Sequence, residues 1–207
     1  MAAPDGDDKP LQKISDAFKV LASVAQDSQS PDMELASFSR ACTHVCPLFG
    51  CLGIAFKFAE KDFVAKVKDL AEASNSIKTL QSMIEQDVQN NCVRTAGSHT
   101  RNLLRVKRGL DMVRLLFEYM LVTEGSSLRD PASKAYEKAL APYHGWAIRK
   151  AVSAGLYTLP TKEQLLVKFN EDEAAARVLM QNYVTACTPV LQYVDNLFTS
   201  RDLGTDW

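Results

Sequence analysis

An all-helical protein is predicted by three features of the 207-residue sequence. Apolar residues recur at spacings of three and four along almost the whole chain, which is the period of a helix with one buried face. Helix-start signals of the Ser/Thr/Asp/Asn type, followed by proline or a capping-box partner, divide that pattern into segments. No run alternates apolar and polar residues as a half-buried strand would, and no internal repeat or low-complexity linker interrupts the pattern.

Leu11, Ile14, Phe18 and Leu21 share one face and define a first amphipathic helix. Ser30 and Pro31 supply a cap and a first-turn proline for a second helix from about Asp32. Pro47 and Gly50 are expected to interrupt it before the apolar piece around Leu52, Ile54 and Phe56. Phe63, Val67, Leu70, Ile77, Leu80, Ile84 and Val88 keep the same period through one long segment ending before Gly97. A further helix opens near Ser98, and its later part, Leu110 to Leu121, is apolar on most faces and therefore central. Asp130 with Pro131, Thr161 with Gln164, and Asn170 with Glu173 mark three more starts. Leu179, Tyr183, Ala186, Val190 and Leu197 form the last helix, with a kink expected at Pro189.

An apolar fraction of 46% is enough to fill one sizeable core, so residues 10–207 are read as a single domain and the acidic residues 1–9 as a disordered tail. That tail has neither the basic nor the apolar region of a secretory signal, and the longest near-apolar run, Cys46 to Phe56, is far short of a bilayer span. The expectation is a cytoplasmic protein whose membrane contact is peripheral and transient. A net charge of -1 argues against sequence-independent nucleic-acid binding, which needs a global excess of Lys and Arg, so any anion site must be local. The five cysteines have neither CxxC nor zinc-finger spacing and read as buried reduced thiols; Cys42, His44 and Cys46 sit together in an apolar stretch and read as core, not as a metal site.

Three constellations carry chemistry. In Ser98 to Leu110, SHTRNLLRVKRGL, Arg101, Arg105 and Arg108 stand at spacings of four and three. At about 100° per residue they fall within roughly a 60° arc, while Lys107 points almost the opposite way. Charge spacing alone fits an ordinary solvated basic face. However, Leu103, Leu104, Val106, Leu110 and Val113 make the helix largely apolar, a setting in which unpaired guanidinium groups are costly and an anion is welcome. Asp62 and Lys66, one helical turn apart, would on their own be an exposed salt bridge. Tyr143, His144, Gly145 and Trp146 precede a helix ending near Leu156. His144 there could donate or accept a hydrogen bond, and Trp146 could pack in the core or sit at a membrane interface.

In this order and spacing, D-x-x-x-K, R-N-L-L-R-V-K-R-G-L and Y-H-G-W resemble the glycolipid transfer protein superfamily over almost the whole chain. The resemblance implies a two-layer helical sandwich with a surface headgroup site and an interior pocket for lipid chains. Members that bind sugars carry Trp where this chain has Arg105, and Asn where it has Lys66, so the likeness is to the branch that transfers ceramide-1-phosphate. By that resemblance Asp62 accepts from the ceramide amide and His144 donates to the acyl carbonyl. Lys66, Arg101 and Arg105 hold the phosphate, with Arg108 as an auxiliary. Phe49, Leu52, Phe56, Phe117 and Val152 line the chain pocket, and Trp146 touches the membrane. The expected activity is non-enzymatic transfer by a monomer, without cofactor or metal. A helical interaction or lipid-sensing module without transfer is the alternative.

Overall fold

The computed structural model describes residues 9–27, 32–53 and 56–207. Among them run nine α-helices: α1 (Pro10–Gln26), α2 (Leu35–Cys51), α3 (Lys57–Ala73), α4 (Leu80–Gln89), α5 (His99–Val122), α6 (Arg129–Ala139), α7 (Trp146–Gly155), α8 (Lys162–Phe169) and α9 (Glu173–Thr199). The cap expected at Ser30 and Pro31, Ile54, and residues 1–8 of the acidic tail lie outside the described residues. Lys9, placed in that tail, pairs with Glu171 at 3.3 Å.

Five helices close a ring in which α1 packs on α2, α2 on α3, α3 on α5, α5 on α9 and α9 back on α1; α6 lies against the outer side of α5. The predicted core faces meet inside it. Tyr183 stands at the centre, edge-on to Phe18 of α1 at 4.9 Å and to Phe117 of α5 at 5.6 Å between ring centroids. Its buried hydroxyl donates to the Leu110 carbonyl at 3.3 Å, which satisfies the one polar atom such a ring brings into a core. The central position expected for α5 holds: Leu110, Met112, Val113, Leu115, Leu116, Phe117 and Met120 are all buried.

Helix α2 begins at Leu35, not near Asp32, and four other helix boundaries differ from the sequence pattern. First, α2 does not break at Pro47 or Gly50 but runs to Cys51, because Leu48 and Phe49 beyond the proline are buried in the ring. The turn comes at Gly53, whose φ of 101° is open to glycine at little cost. Second, the long segment from Phe63 to Val88 is two helices. Leu35 donates to the Lys78 carbonyl and Leu80 to that of Met33, so the entrances to α2 and α4 are stitched together, and Thr79 with Ser82 forms a capping box at the break. Third, Asn170 does not cap α9. It closes α8 in the left-handed region, which asparagine tolerates, and Asp172 caps α9 by accepting from the Ala175 amide at 2.8 Å. Fourth, α6 starts at Arg129, which leaves Asp130 and Pro131 inside its first turn. The capping box of Thr161 with Gln164 and the cap at Ser98 stand as expected, and α9 continues through Pro189.

All five cysteines are free; Cys42 and Cys187 are buried, whereas Cys46, Cys51 and Cys92 are partly covered. Burial pushes the Cys187 thiol up to about 12 and that of Cys46 to about 11, so both stay protonated at neutral pH. Among the described residues, no three His, Cys, Asp or Glu side chains gather as metal ligands, and no helix is long and apolar enough to cross a membrane.

Candidate functional site

Two contacts set the register of α3 against α5. Asp69 of α3 accepts from the Asn102 amide at 2.9 Å and meets His99 Nδ1 at 2.9 Å. Nearer the other end, the Phe63 ring lies so close to Gly109 that a Cβ there would come within 2.6 Å of two ring carbons. The helices therefore run antiparallel, and the turn carrying Asp62 and Lys66 lies level with Arg105. Glycine in KRGL is needed for this close approach, not for backbone conformation.

Lys66 is almost fully buried at 8% exposure, and its ammonium donates to the Asp62 carboxylate and, at 3.2 Å, to the Asp62 carbonyl. The pair thus differs from the exposed salt bridge its spacing alone would allow: the lysine lies under the surface while the aspartate, half exposed, faces out. A buried cation needs its partner, and an anion arriving beside it is favoured.

His144 follows the 3-10 turn Ala141–Tyr143 and stands with Nδ1 3.0 Å from the Tyr136 hydroxyl. Burial lowers the pKa of its imidazole, Asp62 pulls it back up, and the cations Arg105 and Arg108 push it down further. One electrostatic neighbourhood therefore holds Asp62 of α3, Arg105 and Arg108 of α5, and His144 before α7. The guanidinium of exposed Arg105 has no ion pair or hydrogen bond among the described residues, and neither has that of half-exposed Arg101, one turn nearer the start of α5. Lys107 leaves this face, pairing with Asp195 of α9 at 2.8 Å.

Arg108 is placed differently from its two companions. It is 8% exposed and donates through Nη2 to the carbonyls of Thr205 and Trp207 at 2.8 and 2.7 Å, with its guanidinium stacked 3.3 Å from the centre of the Tyr143 ring. This side chain ties the segment after α9 to the residue preceding His144. The sequence pattern named Arg108 but gave no sign of these carbonyl partners. Tyr136 was also missed: the buried face Ala132, Ala135, Tyr136 and Ala139 is readable as helix periodicity, whereas the partner of its hydroxyl is not.

Further along α5, Phe49, Leu52 and Phe117 line an apolar crevice with Val113, Leu165 and Phe169, at the junction of α2, α5 and α8. Its free volume is only about 10 Å³, no more than one water, so the walls touch. Phe56 and Val152 are half-buried against the same core without lining this space. A larger cleft of about 530 Å³ opens beyond the other end of α5, where Glu124, Lys162, Glu163 and Arg177 wall it; it lies away from the arginine stripe. Trp146, at the start of α7, is 70% exposed, and Ile148, Arg149 and Lys150 are exposed beside it.

The glycolipid transfer protein family profile matches residues 33–171, which contain Asp62, Lys66, the arginine stripe and His144. The chain belongs to the glycolipid transfer protein family. It is 60% identical over 201 residues to accelerated cell death 11 of Arabidopsis thaliana, covering 97% of both chains. A crystal structure of an Asp-to-Asn variant of the Arabidopsis protein, complexed with C12 ceramide-1-phosphate, superposes with a TM-score of 0.95 at 59% identity, covering 97% of this chain and 100% of that one. A ceramide-1-phosphate transfer protein of Danio rerio is 27% identical over 206 residues, 93% of this chain and 95% of that one. The all-helical sandwich expected from the sequence is the fold this family member adopts.

Proposed function

We propose that this glycolipid transfer protein family member takes ceramide-1-phosphate, or a closely related phosphosphingolipid, from one membrane and delivers it chemically unchanged to another. The observation that carries this reading is the gathering of Arg105, Lys66, Asp62 and His144 from α3, α5 and the turn before α7, with an apolar crevice further along α5. The ceramide-1-phosphate in the crystal structure of the Arabidopsis relative supports it. A phosphate monoester carries about -1.5 to -2 charges at pH 7, and Arg101, Arg105 and Lys66 offer it three cations, two of them with planar guanidinium faces. A neutral sugar would leave those charges unmatched. Asp62 accepts from the ceramide amide and hydroxyl, and His144 donates to the acyl carbonyl.

The two lipid chains hold roughly 30 methylenes, and at about 0.8 kcal/mol each their exposure to water would cost over 20 kcal/mol, so free diffusion is too slow to compete. A crevice whose walls touch keeps water out. Lipid entry must part its walls, exchanging side-chain contacts for chain contacts at little net cost. Trp146, with Arg149 and Lys150 on the same exposed helix, would meet the membrane surface during loading, where an indole and cations are both at home. We read residues 10–207 as one transfer domain because α1 and α9, from opposite ends of that span, pack on each other, and we take the carrier to be monomeric and cytoplasmic.

Transfer of fluorescent ceramide-1-phosphate between vesicles tests the reading, with native mass spectrometry of the recovered protein as its partner. Transfer together with one added, unaltered lipid mass is expected. No added mass after incubation with lipid would leave the crevice as packed core and favour an interaction module.

A further inference from the structure

The hydroxyl of Tyr136 and Nδ1 of His144, 3.0 Å apart, form a contact that the proposed headgroup chemistry does not use. Tyr136 is buried in α6, and its hydroxyl reaches His144 across the 3-10 turn Ala141–Tyr143. On the other side of that turn Arg108 stacks on Tyr143 while donating to the carbonyls of Thr205 and Trp207, so the backbone leading into His144 is held as well. Asp62, Arg105 and Arg108 are the charged groups that act on the imidazole.

We infer that Tyr136 is a positioning residue: its hydroxyl donates to His144 Nδ1 and so places the single ring proton on Nε2, the nitrogen left to face the lipid. The direction of the bond follows from acidity and basicity. A phenol is a far stronger acid than the N–H of a neutral imidazole, and an imidazole nitrogen is a better acceptor than a phenol oxygen, so the pair is most stable with the phenol donating. Burial, together with Arg105 and Arg108, outweighs the pull of Asp62 and disfavours the doubly protonated ring, leaving the neutral form for Tyr136 to orient. In a neutral histidine, the bond made by one nitrogen decides what the other can do. With Nδ1 accepting, Nε2–H is a donor suited to a carbonyl oxygen; with the proton on Nδ1, Nε2 would present a lone pair to that oxygen and repel it. This inference rests on the carrier reading for the identity of the carbonyl, but not for the tautomer itself.

The test uses full-length protein with 15N-labelled histidine, recorded without lipid, the signals of His144 being assigned by their loss in His144→Gln among the three histidines. A protonated Nε2 and bare Nδ1 at neutral pH are expected, becoming a mixture of the two tautomers in Tyr136→Phe. A proton on Nδ1 in the wild type, or an unchanged spectrum in the variant, overturns the assignment, and the wild-type spectrum decides even if the variant folds poorly. In the transfer assay, Tyr136→Phe should slow ceramide-1-phosphate about three- to tenfold, the worth of one hydrogen bond. It should leave unaffected an analogue whose amide carbonyl is reduced to a methylene. Equal slowing of both lipids overturns the positioning role. Failure of wild-type protein to move either lipid counts against the carrier reading, while the lipid-free spectrum still reports on Tyr136.

Discussion

Helices α5 and α7 both mix apolar residues with arginine and lysine, yet they have opposite fates. α5 is packed along its length by α3, α6 and α9, and its glycine admits the Phe63 ring at a distance no larger residue would allow. α7 buries only Gly155 and leaves Trp146 and Ile148 uncovered. A cation on α5 is therefore held by a stiff frame, which suits recognition of one headgroup. Trp146 and Ile148 on α7 rest on almost nothing, which suits a surface whose detailed structure varies. On the proposed reading the same composition would serve selectivity in one place and adhesion in the other, and what separates the two helices is packing.

Removing the α5 and α3 cations should give the largest effect. Arg105→Leu and Lys66→Ala each take away a charged hydrogen-bonding partner worth about 1.5–3 kcal/mol, so ceramide-1-phosphate transfer should fall about ten- to a hundredfold. For Arg105→Leu the melting temperature should barely move, because the exposed guanidinium has no partner among the described residues to lose. Unchanged vesicle-to-vesicle transfer in both variants would remove these residues from the headgroup site.

Next comes the seam itself. Gly109→Ala forces a methyl group into the Phe63 ring and should cost about 1–3 kcal/mol, lowering the melting temperature by several degrees in a chain of this size. A melting point within a degree of wild type would mean that α3 can slide away, and the frame is not stiff.

A smaller signature is expected in the pH dependence of stability. The folded-state pKa of His144 lies below its ordinary 6.5, so above that value folded and unfolded chains are both neutral there and the residue adds no slope. As pH falls below about 6.5 the unfolded chain binds a proton that the folded one refuses, and stability drops until the lowered pKa is passed. Urea titrations across that window should show a shallower loss in His144→Gln; identical slopes would mean that the imidazole is not disfavoured from charging.

The smallest effect on stability belongs to α7. Trp146→Ala should change folding free energy by no more than about 0.5 kcal/mol, as exposed sites usually do, while weakening binding to anionic vesicles. A large loss of stability would show that the indole is part of the core, which was the other reading its sequence context left open.

Helix periodicity, the caps at Ser98 and Thr161 and the central burial of α5 were legible in the sequence because they depend on neighbours three or four residues away, and local spacing encodes those directly. Two of the boundaries it misplaced depend on distant chain: α2 and α4 are stitched through Met33, Leu35, Lys78 and Leu80, and α2 survives its proline because both flanks are packed. For the site, residue types and their order pointed to Asp62, Lys66, the arginine stripe and His144 as a group. Which arginines remain open did not follow. Arg101, Arg105 and Arg108 share one stripe by spacing, and nothing local distinguishes the third, whose carbonyl partners stand nearly a hundred residues away.

By itself, then, the sequence determined the helices, the faces they bury and the cations available to an anion, since all of these follow from side-chain chemistry repeated at a helical period. Tertiary structure alone decided that Lys66 lies beneath the surface, that Arg108 braces Tyr143 instead of facing outward, and that the Tyr136 hydroxyl meets His144. Each of those outcomes is set by the approach of groups far apart along the chain, and hydrogen bonds and burial depend on distance in space, which spacing along one helix does not contain.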